Sequence, residues 1–209
     1  MAPPQFPMYS PSPFPGDGGR IAEPVFGASR ADDPGFAASM RSGTLLGRLR
    51  TMMLVLLVAP VLIAAITPLI VQDGKGRLGD APWWFYLPLA AGVLLAVLVG
   101  PRVPRPMEPG QERMAAVETA MLQFRQALLL RFALTEGIIL LGLPLAMIGH
   151  SELLFAVGFV LGYPLMIWLA LPTTGTIEGI RRRLESGGAE AHLWAGFLAR
   201  ASRGKPPQS

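Results

Sequence analysis

Apolar residues in this chain are bunched into runs of membrane length instead of being spread at helical or strand spacing. Met52 to Val71 (MMLVLLVAPVLIAAITPLIV), Trp83 to Val99 (WWFYLPLAAGVLLAVLV), Leu128 to Ile148 (LLLRFALTEGIILLGLPLAMI) and Leu153 to Leu171 (LLFAVGFVLGYPLMIWLAL) each approach or reach the roughly 20 residues that cross about 30 Å of hydrocarbon. The expected fold is all-α, an integral membrane domain of four transmembrane helices over 44–171. Pro60 and Pro68 interrupt the first span, where neighbouring helices must satisfy the carbonyls they free. Trp83, Trp84 and Tyr86 mark the outer interface as an aromatic belt does.

The polar stretches divide differently. Residues 1–43 open MAPPQFPMYSPSPFPGDGG without apolar periodicity, which predicts a disordered Pro/Gly-rich tail. Its PQFP and PSPFP segments read as scattered prolines more readily than as polyproline docking motifs. The loop Asp73 to Asp80 reads as an ordinary turn, its spacing unlike that of a calcium loop. Between the second and third spans, Met114, Val117, Met121, Phe124 and Leu128 alternate three and four residues apart. This predicts a helical extension over 111–127 that runs unbroken into the third span, a rod of roughly 60 Å to Ile148. Either it projects, and its stripe needs cover from another chain, a second copy or the C-terminal segment, or it bends onto the headgroups. The last part, 172–209, is basic and amphipathic. Ile177, Ile180 and Leu184, then Leu193, Trp194, Phe197 and Leu198, suggest interfacial helices anchored in lipid.

Composition and charge sharpen this picture. The chain is 51% hydrophobic and only 15% charged, with a net charge of +4. In a soluble protein that basicity would raise nucleic-acid binding, but its distribution follows topology. Arg41, Arg48 and Arg50 precede the first span, Arg102, Arg105, Arg113 and Arg125 lie between the second and third, and Arg181, Arg182 and Arg183 follow the fourth. The alternate loops hold Lys75 and Arg77 balanced by Asp73 and Asp80, then His150 with Glu152. Both termini are therefore expected in the cytoplasm, with anionic lipid headgroups as the partner of Arg181, Arg182 and Arg183. The first apolar run begins too far along the chain for a secretory signal, so it is expected to stay as a span. Arginine far outnumbers lysine, and with abundant Ala, Gly and Pro this suggests a GC-rich bacterial gene and the plasma membrane. Cysteine is absent, which removes disulfide, thiol and cysteine-zinc chemistry. His150 and His192 fall on opposite sides of the expected membrane, so no shared metal site and no cofactor is expected.

The residue with the most chemical content is Glu136, about 12 Å in from Leu128 and too deep to reach the headgroups. An ionisable group at such depth costs a few kcal/mol on insertion scales and normally faces a partner, a cavity or a transport path. Arg131 is the obvious counter-ion, yet five residues place the two about 140° apart around the helix, and Arg131 is near enough the end to extend to the headgroups. Small residues suited to close helix contact are Gly158 and Gly162 on the fourth span, Gly92 and Ala96 on the second, and Ala133, Gly137, Gly142 and Ala146 on the third. Contacts within the chain are favoured over a homodimer.

From Arg131 to Met147, RFALTEGIILLGLPLAM resembles the carboxylate helix of the proteolipid ring subunits of rotary ATPases, in which an Ala-Leu-x-Glu step precedes Gly-Leu and small residues. The resemblance implies that Glu136 binds a proton. Trp83 to Val99 lacks the Gly-x-Gly face of that family's partner helix, and the loop Pro101 to Gln126 lacks its Arg-Gln-Pro turn, so only the protonatable helix carries over. In layout, the Pro-rich leader, four spans and arginine-rich end resemble small membrane proteins of high-GC Gram-positive bacteria.

No phosphate-binding loop, nucleophile elbow, paired carboxylates within a span or metal-ligand helix occurs. The expectation is a non-enzymatic structural, adapter or assembly subunit of a membrane complex, as a homo-oligomer or with another membrane protein. The alternative is a proton- or cation-coupled transport subunit that uses Glu136.

Overall fold

The computed structural model describes residues 23–71 and 81–200, and within them the chain is all-helical. A short 3₁₀ turn at Arg30–Asp32 and α1 (Phe36–Ser39) lead into α2 (Leu45–Ile70). A 3₁₀ turn at Trp83–Tyr86 opens α3 (Leu87–Val99), which closes in another at Gly100–Arg102. Then come α4 (Arg113–Ile148), α5 (Glu152–Ala170), α6 (Thr174–Glu185) and α7 (Leu193–Leu198). Four helical stretches are long and apolar enough to cross a membrane: Leu45–Ile70, Trp83–Arg102, Arg113–Ile148 and Glu152–Ala170. The proposed Asp73 to Asp80 turn and the PQFP and PSPFP segments lie outside the described residues.

The centre of the bundle is the α4–α5 hairpin, whose most apolar windows are 39% buried against 22% for α2 and α3. Glycine makes it tight. A Cβ on Gly142 would lie 3.2 Å from the Phe155 Cα, one on Gly158 3.2 Å from the Ile138 carbonyl oxygen, and one on Gly162 2.6 Å from Ile139 Cγ1. The Gly158/Gly162 pair is therefore used inside the chain, and such close backbone approach supplies dispersion contact. α3 leans on the same hairpin through Gly92, which faces Ile138, and through the buried Leu89 and Ala96. Outward, Val55, Leu62, Leu94, Leu129, Leu140, Val160 and Trp168 are exposed, an apolar girdle far larger than a soluble monomer presents.

Below the girdle, at the end carrying the N-termini of α2 and α4, lies a second core. Val117, Met121, Phe124 and Leu128 of α4 pack with Ile177, Ile180 and Leu184 of α6 and Leu193, Trp194 and Phe197 of α7. The α4 helix is continuous, and the C-terminal segment covers its stripe. Met114 alone of the five stripe positions stays exposed. This corrects the expectation of lipid-anchored C-terminal helices. The apolar face of α6 is 0–1% exposed because the projecting part of α4 offers it a protein surface, and burial of each large side chain there contributes about 1.5–3 kcal/mol.

The expected disorder over 1–43 is corrected for its second half. Residues 23–43 fold onto this basal layer: the Val25 N–H donates to the Ala195 carbonyl, and Ser29 and Asp32 form a capping box. Thr44 pairs with Arg200 as an isolated antiparallel bridge, so the C-terminal end of the described chain meets the foot of α2. The part of that expectation over 1–22 lies outside the described residues.

Candidate functional site

Three arginine sites organise the basal end, and Glu136 stands apart above them. The deepest is Arg50, 0% exposed one turn into α2. Its guanidinium grips the Asp33 carboxylate with both ends of its fork, Nη1 to Oδ1 at 2.9 Å and Nη2 to Oδ2 at 2.7 Å. It also donates to the Ser39 hydroxyl at 2.7 Å, the Gly35 carbonyl at 3.1 Å and, through Nε, the Pro172 carbonyl at 3.1 Å. Phe36 lies beneath it, ring centroid 5.2 Å from Cζ. Asp33 further accepts from the Gly35 N–H and the Thr174 hydroxyl, each at 3.1 Å. Bidentate pairing suits Arg in a desolvated position. One side chain thus clasps the N-terminal segment, the foot of α2 and the α5–α6 junction. The Arg50 hydrogen bond, chiefly, holds the Asp33 carboxyl below its ordinary range.

Arg131 forms the second site. It is 7% exposed and does not reach toward headgroups, which corrects the sequence expectation. Its Nε donates to the Gly100 carbonyl and its Nη2 to the Val103 carbonyl, each at 2.9 Å. These are orphan acceptors at the C-terminal end of the second apolar helix, where a cation also meets the negative end of the helix dipole. Arg102 joins the same cap by donating to the Leu98 carbonyl, and Arg183 by donating to the carbonyls of Arg102 and Pro104. Replacing Arg131 by Met should remove two charge-assisted bonds and strand two carbonyls, lowering stability by about 2 kcal/mol in a thermal melt of the detergent-solubilised protein.

The third site is the outer face of α6. Arg181 is ion-paired with Glu178 and Glu185, and Glu185 also accepts from the Ala191 N–H at the approach to α7. The Arg181 contact, first among its causes, lowers the Glu178 pKa from 4.5 to about 2. Of the arginines expected at lipid headgroups, Arg181 and Arg183 are therefore engaged within the protein. Arg182 is 73% exposed, with Glu178 3.5 Å away.

Glu136 is half-buried on the flank of α4. Among the described residues it makes no hydrogen bond or ion pair, and Arg131 is turned away from it, as their separation around the helix requires. Beside it Ala133 and Gly137 are exposed, and a Cβ on Gly137 would meet nothing within 4 Å. Gly137 is thus not a packing residue inside the chain, unlike Gly142 on the buried face. No group of three or more metal-binding side chains occurs among the described residues.

No protein-family model, curated protein or solved structure matches this chain. Its own geometry is what bears on function. The sequence reading missed the Arg50–Asp33 clasp because it counted Arg50 only as a topological charge. The available signal was the Asp33-Pro34-Gly35 turn, a fold-back inside a segment otherwise poor in structure.

Proposed function

We propose that the protein is a non-enzymatic plasma-membrane subunit that assembles laterally with another membrane helix, with the basal layer and both termini in the cytoplasm. Glu136 carries this reading. A carboxyl at mid-depth, on an exposed flank and without a partner in the described chain, is costly against lipid and is satisfied by a donor or acceptor on a neighbouring helix. The adjoining Ala133 and Gly137 leave space for such a helix to approach closely. The cavities of about 320–550 Å³ at the basal end are lined by other residues than Glu136.

The test is mild-detergent purification of the tagged protein from its own membranes, followed by intact-complex mass spectrometry of wild type, Glu136→Gln and Glu136→Leu. A stoichiometric second polypeptide should be retained with Gln, which still donates and accepts, and lost with Leu. An unchanged complex in the Leu variant sinks the reading. Glu136→Gln that assembles normally but abolishes a pH-dependent flux in proteoliposomes transfers the protein to proton- or cation-coupled transport, because an amide cannot titrate.

A further inference from the structure

We infer that the groove between α2, α4 and α7 holds one anionic phospholipid of the adjoining leaflet, its phosphate between Arg48 and Arg125 and an acyl chain along the apolar floor. The groove has a volume of about 390 Å³, and Leu49, Met52, Met53, Met121, Leu128 and Phe197 line it, with Arg48 and Arg125. No carboxylate lines it. Arg48 lies four residues before Met52 and Arg125 three before Leu128, so the two guanidinium groups arise roughly 5 Å below the start of the first and third apolar runs. That is headgroup level, while Met52, Met53, Leu128 and Leu129 lie at hydrocarbon level.

The charges favour a phosphate. Arg50, Arg102, Arg131, Arg181 and Arg183 are all committed to carbonyls or carboxylates of the chain. Arg48 and Arg125 are exposed, and their side chains make no hydrogen bond or ion pair among the described residues. Two uncommitted cations stand part-way along the groove at one level of α2 and α4, with Met52, Met53, Leu128 and Leu129 on their hydrocarbon side, so a lipid phosphate and its acyl chain are both complemented. The methionines of the floor adapt to a mobile chain as a rigid packing surface does not. The inference uses the membrane orientation proposed above but not the Glu136 contact, so either can fail alone.

The experiment is native mass spectrometry of the delipidated full-length protein titrated with phosphatidylglycerol or phosphatidylcholine. Wild type should retain one phosphatidylglycerol in preference to phosphatidylcholine. Arg48→Gln with Arg125→Gln should weaken phosphatidylglycerol at least about tenfold, since each basic residue near a surface contributes about 1 kcal/mol. Arg182→Gln, exposed but outside the groove, should leave it unchanged, and an unaltered melting curve for each variant certifies the fold. Equal binding of both lipids overturns the inference. So does unchanged binding in the double variant or equal loss in Arg182→Gln, and so does a dimer that the double variant dissolves, which would make a second copy the occupant.

Discussion

Arg50→Ala is expected to unfasten residues 23–43 from the bundle and to lower stability by about 3–5 kcal/mol, the loss found when one partner of a buried ion pair is removed. The size follows from what is left behind. Asp33, 3% exposed at its side chain, would keep a carboxylate whose main counter-charge is gone, and the Pro172 carbonyl would lose its donor at the α5–α6 junction. Asp33→Ala should approach the same loss from the other side by stranding a guanidinium that is fully buried. Thermal unfolding in detergent reads the stability, and limited proteolysis between residues 23 and 44 reads the release. Wild-type melting and cleavage in both variants would show that the clasp does not hold the segment.

The same clasp dictates a pH dependence. Asp33 has a lowered pKa in the fold, chiefly through its hydrogen bond to Arg50. A carboxylate so depressed contributes stability that is fully present above the ordinary Asp range, about pH 4, and is lost as pH falls through the lowered folded value. Glu178, held at about 2 by Arg181, behaves alike and loses its contribution between 4.5 and about 2. Release of the N-terminal segment in wild type should therefore begin only below about pH 4. Arg50→Ala should release it at neutral pH, where wild type stays closed.

Gly162→Leu is expected to push α4 and α5 apart and to cost about 3 kcal/mol, the upper part of the range for overpacking. A Cβ alone would lie 2.6 Å from Ile139 Cγ1 and 3.1 Å from the Thr135 carbonyl oxygen, and the rest of the side chain has no room. Backbone cannot yield as a flexible side chain does, so the hairpin itself must move. Gly137→Leu is the matched control on the facing helix. With nothing within 4 Å of its Cβ, it should leave the melting curve of the isolated protein unchanged. If the Glu136 flank is the assembly surface, that same substitution should remove the second polypeptide from the purified complex. A melting loss as large as that of Gly162→Leu would show that the Gly137 face is already packed.

The apolar runs made the four membrane-length helices legible, because about 20 consecutive apolar residues form a helix long enough to cross a membrane. Gly158 and Gly162 stood out for the same local reason: small residues four apart make one ridge. Glu136 stood out by contrast with everything around it. The roles of most arginines were not legible. Arg131 admits a surface reading from its neighbours in sequence, and only the position of Gly100 beside it commits it inward, whereas Arg181 pairs with Glu178 and Glu185 on its own helix, a local spacing the sequence already carried. The Asp33–Arg50 pair spans 17 residues and is completed by Pro172, 122 residues from Arg50, which no periodicity connects.

Local pattern was therefore enough for the number of membrane-length helices, for the unbroken helix from the polar stretch after the second apolar run into the third, and for the place of Glu136 within that run. Each depends on hydrophobicity and helical rise alone. Which surface covers the α4 stripe, which arginines face the protein and which remain free at a groove, and whether residues 23–43 fold were settled only by tertiary packing. A side chain's desolvation and its hydrogen-bond partners depend on segments brought together from far along the chain, and a cation near a membrane boundary has the same local sequence whether it meets a carbonyl, a carboxylate or a lipid phosphate.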